Sequence, residues 1–160
     1  MRAVVLAFAV FAALSTSDEV NRGAETIHQE ILIAAPPARV YAALTDAAEF
    51  TRMTTLSMVK HAPPATIGRA AGEAFSLFGG QIVGRHIELV PGRLIVQAWR
   101  DADWPKGIYS IARFELKDGG NGHTSIVFDH TGFPAGEGAH LAEGWQTNYW
   151  RPMKALLEAK

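Results

Sequence analysis

Gly144-Trp145-Gln146-Thr147-Asn148-Tyr149-Trp150-Arg151-Pro152-Met153-Lys154-Ala155-Leu156-Leu157 is the stretch on which the fold turns. Together with Leu141 just before it, Trp145, Asn148, Tyr149, Pro152, Met153, Leu156 and Leu157 recur at i, i+3, i+4 spacing, which lays them along one side of a helix. Such a stripe must be covered by apolar surface from elsewhere in the chain. Pro152 lacks the N–H that an interior helical residue donates and costs roughly 3 kcal/mol there, so a kink or break is expected near Asn148 to Arg151.

The cover for that stripe lies upstream. From Gly72 to His130 the chain is punctuated by turn signals at Gly79-Gly80, Pro91-Gly92, Trp104 to Gly107 and Asp118-Gly119-Gly120-Asn121-Gly122. Between them lie strand-like runs at Glu73 to Phe78, Gln81 to Val90, Leu94 to Arg100, Ile108 to Lys117 and Thr124 to His130. Each connection is too short for a crossover helix, so these strands form an antiparallel meander. A further strand, Thr26 to Ala35, is ended by Pro36-Pro37, whose position suits the first turn of a helix over Ala38 to Leu44. Asp46 followed by Glu49 has capping-box spacing and starts a second short helix running to Met53. Six strands are thus predicted, and seven if Met58 to His61 pairs. The fold class is α+β, with two short helices after strand one.

Alternation assigns the inner face. Ser110, Ala112, Phe114 and Leu116 share one side of their strand, Ile126, Phe128 and His130 one side of the last, and Ile95, Gln97 and Trp99 one side of a third.

Composition narrows the function classes. The chain has 160 residues and 48% hydrophobic content, enough for one substantial core. Its 15 basic and 16 acidic residues nearly cancel and form no basic block, which gives nucleic-acid binding no support. Cysteine is absent, which removes disulfides, thiolate metal sites and cysteine nucleophiles together. At the N-terminus, Arg2, the apolar run Ala3 to Leu14, the small residues Ser15, Thr16 and Ser17 and a small-x-small site at Ala13-Leu14-Ser15 read as a secretory signal peptide over 1–15. A polar linker follows over 16–25, and the folded domain occupies 26–160. This predicts a secreted or periplasmic protein. A retained segment with a cytoplasmic domain is the alternative, in which case residues 1–15 make the only membrane contact.

The order of these pieces resembles the START-like, or helix-grip (SRPBCC), superfamily, and within it the branch similar to activator of heat-shock-protein-ninety ATPase. The resemblance is carried by Ile31-Leu32-Ile33-Ala34-Ala35-Pro36 running into Val40 to Asp46, by Gly72-Glu73-Ala74-Phe75, Gly79-Gly80, Arg93-Leu94-Ile95 leading to Trp99-Arg100, and Trp104-Pro105. Thr124, His130-Thr131-Gly132-Phe133-Pro134 and Gly144-Trp145 leading to Tyr149-Trp150 complete it. It implies a curved sheet wrapped around a long C-terminal helix, with a cavity that takes hydrophobic or amphipathic small molecules in many relatives. A bulky tryptophan that such relatives often carry after the first helices is missing from Thr51 to Met58.

The residues expected to meet a ligand in such a cavity are Phe78, Trp99, Trp104, Ser110, Ala112, Phe128, His130, Phe133, Trp145 and Tyr149. Aromatic rings dominate the set and give contact area with a few polar handles. His130 is the one candidate acid or base, although a hydrogen-bonded core histidine is the favoured reading of it. His123, His130 and His140 lack metal-ligand spacing, so no metal and no cofactor are expected. His123 reads as a solvated turn residue, as do Asp101 and Asp103 around Trp104. Ser110 lies in no Gly-x-Ser-x-Gly elbow, and Gly79-Gly80 precedes no phosphate-binding helix. The expected partner is therefore a hydrophobic or lipid-like small molecule. A cyclase-like enzyme using His130, or Tyr149, to move a proton and a chaperone-activator-like interaction domain are the competing functions.

Overall fold

In the computed structural model, which describes residues 25–160, strand β1 (Thr26–Ile33) ends two residues before the expected Ala35. Its exit is held by two bonds that lift the chain off the sheet: the Ala34 N–H donates to Glu158 Oε1 at 2.9 Å, and Thr124 Oγ1 donates to the Ala35 carbonyl at 2.7 Å. The expected signal segment and the expected linker up to residue 24 lie outside the described residues. Glu25, the last residue of that linker, receives the Gly136 and Gly138 N–H groups on its two carboxylate oxygens.

Pro36 caps α1 (Pro37–Thr45), whose Val40, Ala43 and Leu44 are buried. Asp46 both ends this helix and starts α2 (Ala47–Thr54). Its N–H bonds the Ala42 carbonyl, while its Oδ1 accepts from the Ala48 and Glu49 N–H groups at 2.9 and 3.1 Å. The box stays half-made, because the Glu49 carboxylate turns to Arg52 at 2.9 Å.

The sheet follows as β2 (Thr66–Ile67), β3 (Ala74–Leu77), β4 (Ile82–Val90), β5 (Leu94–Asp101), β6 (Ser110–Gly120) and β7 (His123–Thr131). All neighbours are antiparallel, in the order β1-β7-β6-β5-β4-β3-β2. Seven strands form, but the seventh is Thr66–Ile67 and not Met58 to His61, which lies in turns. The physical reason is reach: Thr66 and Ile67 sit opposite Ser76 and Phe75, where the chain returns from α2 to the sheet. The inner-face assignments from alternation hold on all three strands. Ile95, Gln97, Trp99, Ser110, Ala112, Phe114, Leu116, Ile126, Phe128 and His130 are all buried.

Against this face lies one continuous helix, α3 (Gly138–Trp145), a π-helical turn (Gln146–Trp150) and α4 (Arg151–Leu157). The expected kink at Pro152 takes the form of that π turn. The Arg151 N–H reaches back five residues to the Gln146 carbonyl, and the wider turn makes room for the proline ring without ending the helix. Leu141, Trp145, Tyr149, Trp150, Pro152, Met153 and Leu157 are buried by the sheet and the two short helices.

β3 and β4 approach each other and β5 closely at Gly84, where a side chain has no room. Gly84 pairs directly with Phe75, and a Cβ on it would overlap the Phe75 ring and the Ala98 carbonyl. Gly84→Ala should therefore destabilise the domain by about 1–3 kcal/mol, as overpacked cores do. A fall in the urea midpoint at unchanged m-value checks this; an unchanged midpoint would show that Phe75 moves aside freely.

Candidate functional site

Trp145 projects from α3 onto the sheet and makes the contact that organises the site. Its indole N–H can only donate, so His130 Nδ1, 3.1 Å away, must be the acceptor. The ring proton then sits on Nε2, which faces Ser110 Oγ at 2.7 Å, and the serine hydroxyl donates onward to the Trp99 carbonyl at 3.0 Å. Every donor and acceptor in this relay is used. His130 is fully buried, and burial lowers its pKa to about 3, so it stays neutral. With both nitrogens committed, the imidazole has no free lone pair to take a proton from a substrate.

On the far side of Trp145 opens a cavity of about 370 Å³. One wall is the sheet and its flanking turn, through Ile82, Trp99, Asp101 and Phe78. The other is the terminal helix, through Leu141, Gly144, Trp145, Asn148 and Tyr149, and Val59 closes one edge. The Trp145 and Tyr149 rings lie 4.2 Å apart, Trp99 and Trp145 5.6 Å, and Phe78 and Tyr149 5.7 Å. Phe78 reaches this position from a left-handed backbone, with φ of 51°, a conformation that costs a bulky residue about 1–2 kcal/mol. Gly79 and Gly80, with φ of 69° and 90°, complete the turn.

Three residues of the lining carry buried polar atoms that make no full hydrogen bond: Trp99 Nε1, which leans toward the Tyr149 hydroxyl, Asn148 Oδ1 and Tyr149 Oη. An unpaired buried donor or acceptor costs about 1–3 kcal/mol. Burial pushes the Tyr149 phenol well above its ordinary pKa, with the neighbouring Trp99 indole pulling slightly the other way, so this group is a neutral hydroxyl. Asp101, Asp103 and Gln81 stand at the mouth, tied together by Gln81 Nε2, which donates to Asp101 Oδ1 at 2.7 Å and Asp103 Oδ2 at 3.0 Å.

Of the residues expected to meet a ligand, Phe78, Trp99, Trp145 and Tyr149 are brought together around this cavity. Ser110 and His130 stand behind it in the relay. Trp104 backs Trp99 with ring centroids 5.5 Å apart, and Phe128 backs Trp145 at 4.3 Å. Phe133 covers His130 at 5.1 Å, and Ala112 lies in the sheet between Gln97 and His130. Asn148, Gly144, Asp101, Asp103 and Gln81 were outside the expected set. Two of them had a signal: Asn148 falls on the helix stripe, and Asp101 sits two residues after Trp99 on the same strand face. Among the described residues, no group of His, Asp and Glu is arranged to hold a metal ion.

These features define a helix-grip domain of the START-like kind, an antiparallel sheet closed over a C-terminal helix with a cavity between them. Residues 34–158 match the family described as Activator of Hsp90 ATPase homolog 1-like protein, and the chain belongs to that family. It is 32% identical over 105 residues to human Activator of 90 kDa heat shock protein ATPase homolog 1, an overlap covering 66% of this chain and 30% of the human protein. The chain thus spans about a third of the length of the curated relatives it matches. Among solved structures, an HSP90 activator from Plasmodium falciparum superimposes with a TM-score of 0.75 at 26% identity, covering 83% of this chain and 96% of that one. The Aha1 dimer from Colwellia psychrerythraea shares the fold, with a TM-score of 0.67 at 18% identity over 83% of this chain and 96% of that one.

The neutral, locked His130 has a measurable consequence. Between pH 6.5 and about 3 the unfolded chain binds a proton at this position that the folded chain does not, so stability rises with pH across that window. Stability should fall by up to about 1.4 kcal/mol per pH unit on acidification from this group alone. Buried His86, whose pKa is lowered by desolvation, adds in the same direction. Exposed His28, raised by hydrogen bonds to Asp129 and Glu30, weakly opposes it. Urea unfolding at pH 7.5, 6 and 5 should show this slope in the parent protein and a shallower one in His130→Gln; equal slopes would contradict the assignment.

Proposed function

We propose that this domain binds a hydrophobic or amphipathic small molecule in the cavity between the sheet and the terminal helix. The observation that carries the reading is the coincidence, in the lining of one aromatic cavity of about 370 Å³, of three residues whose buried polar atoms the protein leaves without full hydrogen bonding. Aromatic walls with a few convergent polar groups are what small-molecule sites are made of. A proton-transfer enzyme built on His130 is disfavoured, because the relay through Trp145 and Ser110 consumes both ring nitrogens.

Gly144 supplies the test. It lines the cavity, it is helical, and a Cβ on it would meet nothing within 4 Å. Gly144→Leu should fill the cavity while preserving or raising stability, since replacing a mid-helix glycine gains about 0.5–1 kcal/mol. Titration with the neutral dye Nile red should give saturable emission enhancement in the parent protein and at least about tenfold weaker binding in the variant, a cost of about 1.4 kcal/mol. Equal binding by both would place the dye elsewhere and remove the support for the cavity.

A second reading is kept by the family itself: a protein-interaction domain acting on a chaperone ATPase, as the names of the relatives describe for those proteins. The two readings separate by compartment. Export of the chain, expected from residues 1–15, would part it from a cytosolic ATPase and its ATP. N-terminal sequencing of the protein from its native host should find a start near Thr16; an intact Met1 on the cytosolic protein would refute export and favour the chaperone reading.

A further inference from the structure

The polar groups at the cavity differ in kind from its interior to its mouth, and together they discriminate among ligands. Trp99 and Tyr149 are 3% and 5% exposed, and the Trp99 N–H, the Tyr149 hydroxyl toward which it leans and the Asn148 side-chain oxygen comprise a donor, a group of either sense and an acceptor, none of them fully hydrogen-bonded within the protein. A hydroxyl or an amide can donate to Asn148 Oδ1 and accept from Tyr149 at once, whereas a carboxylate can use only the donors and leaves Oδ1 unserved. Asp101 lies two residues along β5 from Trp99, about 7 Å at strand rise, and Asp103 is held beside it by Gln81. Among the described lining residues there is no lysine or arginine, and His140 is the sole basic side chain. Arg100 is turned away: its guanidinium donates to the Trp104 and Pro105 carbonyls and lies over the Tyr109 ring.

Resting on the cavity reading above, we propose that the site selects an aromatic molecule that is uncharged or cationic and bears a hydroxyl or amide group, and that it rejects carboxylates of the same shape. The aromatic preference comes from Phe78, Trp99, Trp145 and Tyr149, whose rings offer faces and edges to a planar guest. The charge preference comes from the two carboxylates at the mouth, which repel an entering anion and attract a cation.

Competition against Nile red at pH 7 tests both parts with three ligands of one shape: 2-naphthalenemethanol, protonated 2-naphthylmethylamine and 2-naphthoate. The alcohol and the amine should displace the dye at concentrations at least about tenfold below the carboxylate. In the Asp101→Asn, Asp103→Asn double variant the gap between alcohol and carboxylate should narrow severalfold, with the alcohol little changed. Tyr149→Phe, which removes one oxygen and keeps the ring, should weaken the alcohol severalfold while leaving 2-methylnaphthalene unaffected. Displacement of bound dye by 2-naphthoate as well as by the alcohol overturns the inference and leaves the cavity reading standing, as does a carboxylate gap unchanged in the double variant. Failure of the parent protein to bind Nile red or any naphthalene overturns the cavity reading, and this inference with it.

Discussion

The hydrogen bond from the Trp145 indole to His130 fixes the helix on the sheet, and most of what is distinctive in this domain depends on it. Because indole can only donate, the bond dictates the imidazole tautomer, and the tautomer dictates the direction of the Ser110 hydroxyl. A second indole repeats the device one turn further on, where Trp150 Nε1 donates to Gln29 Oε1 at 2.6 Å and Gln29 Nε2 donates to the Ala142 carbonyl at 3.2 Å. Apolar packing alone would let the helix slide along the curved face. Two directional bonds from the helix, to β7 and to β1, set its register, and the remaining face of Trp145 is left free as a cavity wall.

Departures from local rules gather at that wall. Phe78 adopts a left-handed backbone, the terminal helix widens to a π turn, and three polar atoms are buried without full hydrogen bonding, all within the lining of one cavity or next to it. The π turn brings Asn148 and Tyr149 to the cavity while Trp150 turns into the core. At the helix starts and along the inner strand faces local preference and tertiary structure agree: Pro36 and Asp46 stand where their residue types predict a helix start, and inner-face residues alternate as the strands require. His86, buried on β4 with neither ring nitrogen fully bonded, and Asn121, at φ of 53° in the β6–β7 turn, depart from the local rules away from this wall, so the cavity is where departures concentrate and not where all of them lie.

Period-two and period-3.6 patterns made the sheet, the two short helices and the helix stripe legible in the sequence, because burial on one side of an element is written directly into its residues. The short edge strand Thr66–Ile67 was not legible, since two residues carry no period and their pairing with β3 is decided by the path of the chain. The cavity was legible by half. Aromatic identity pointed to Phe78, Trp99, Trp145 and Tyr149, yet the same identity also named Phe128, Phe133 and Trp104, which pack behind the lining. Side-chain chemistry cannot tell a ring in the wall from one in the layer beneath it. Gly144 went unseen for the opposite reason: it contributes by what it lacks.

The four tryptophans of the chain stand in one unbroken file, Trp104 to Trp99 at 5.5 Å, Trp99 to Trp145 at 5.6 Å and Trp145 to Trp150 at 5.9 Å, the last pair nearly parallel. Excitation absorbed by any of them can migrate along the file before it is emitted, and the two middle members are the pair that face the cavity. The four indoles therefore act as one coupled set of chromophores, and a change at the cavity wall formed by the middle pair alters the intrinsic ultraviolet emission and exciton circular dichroism of the whole file without a label.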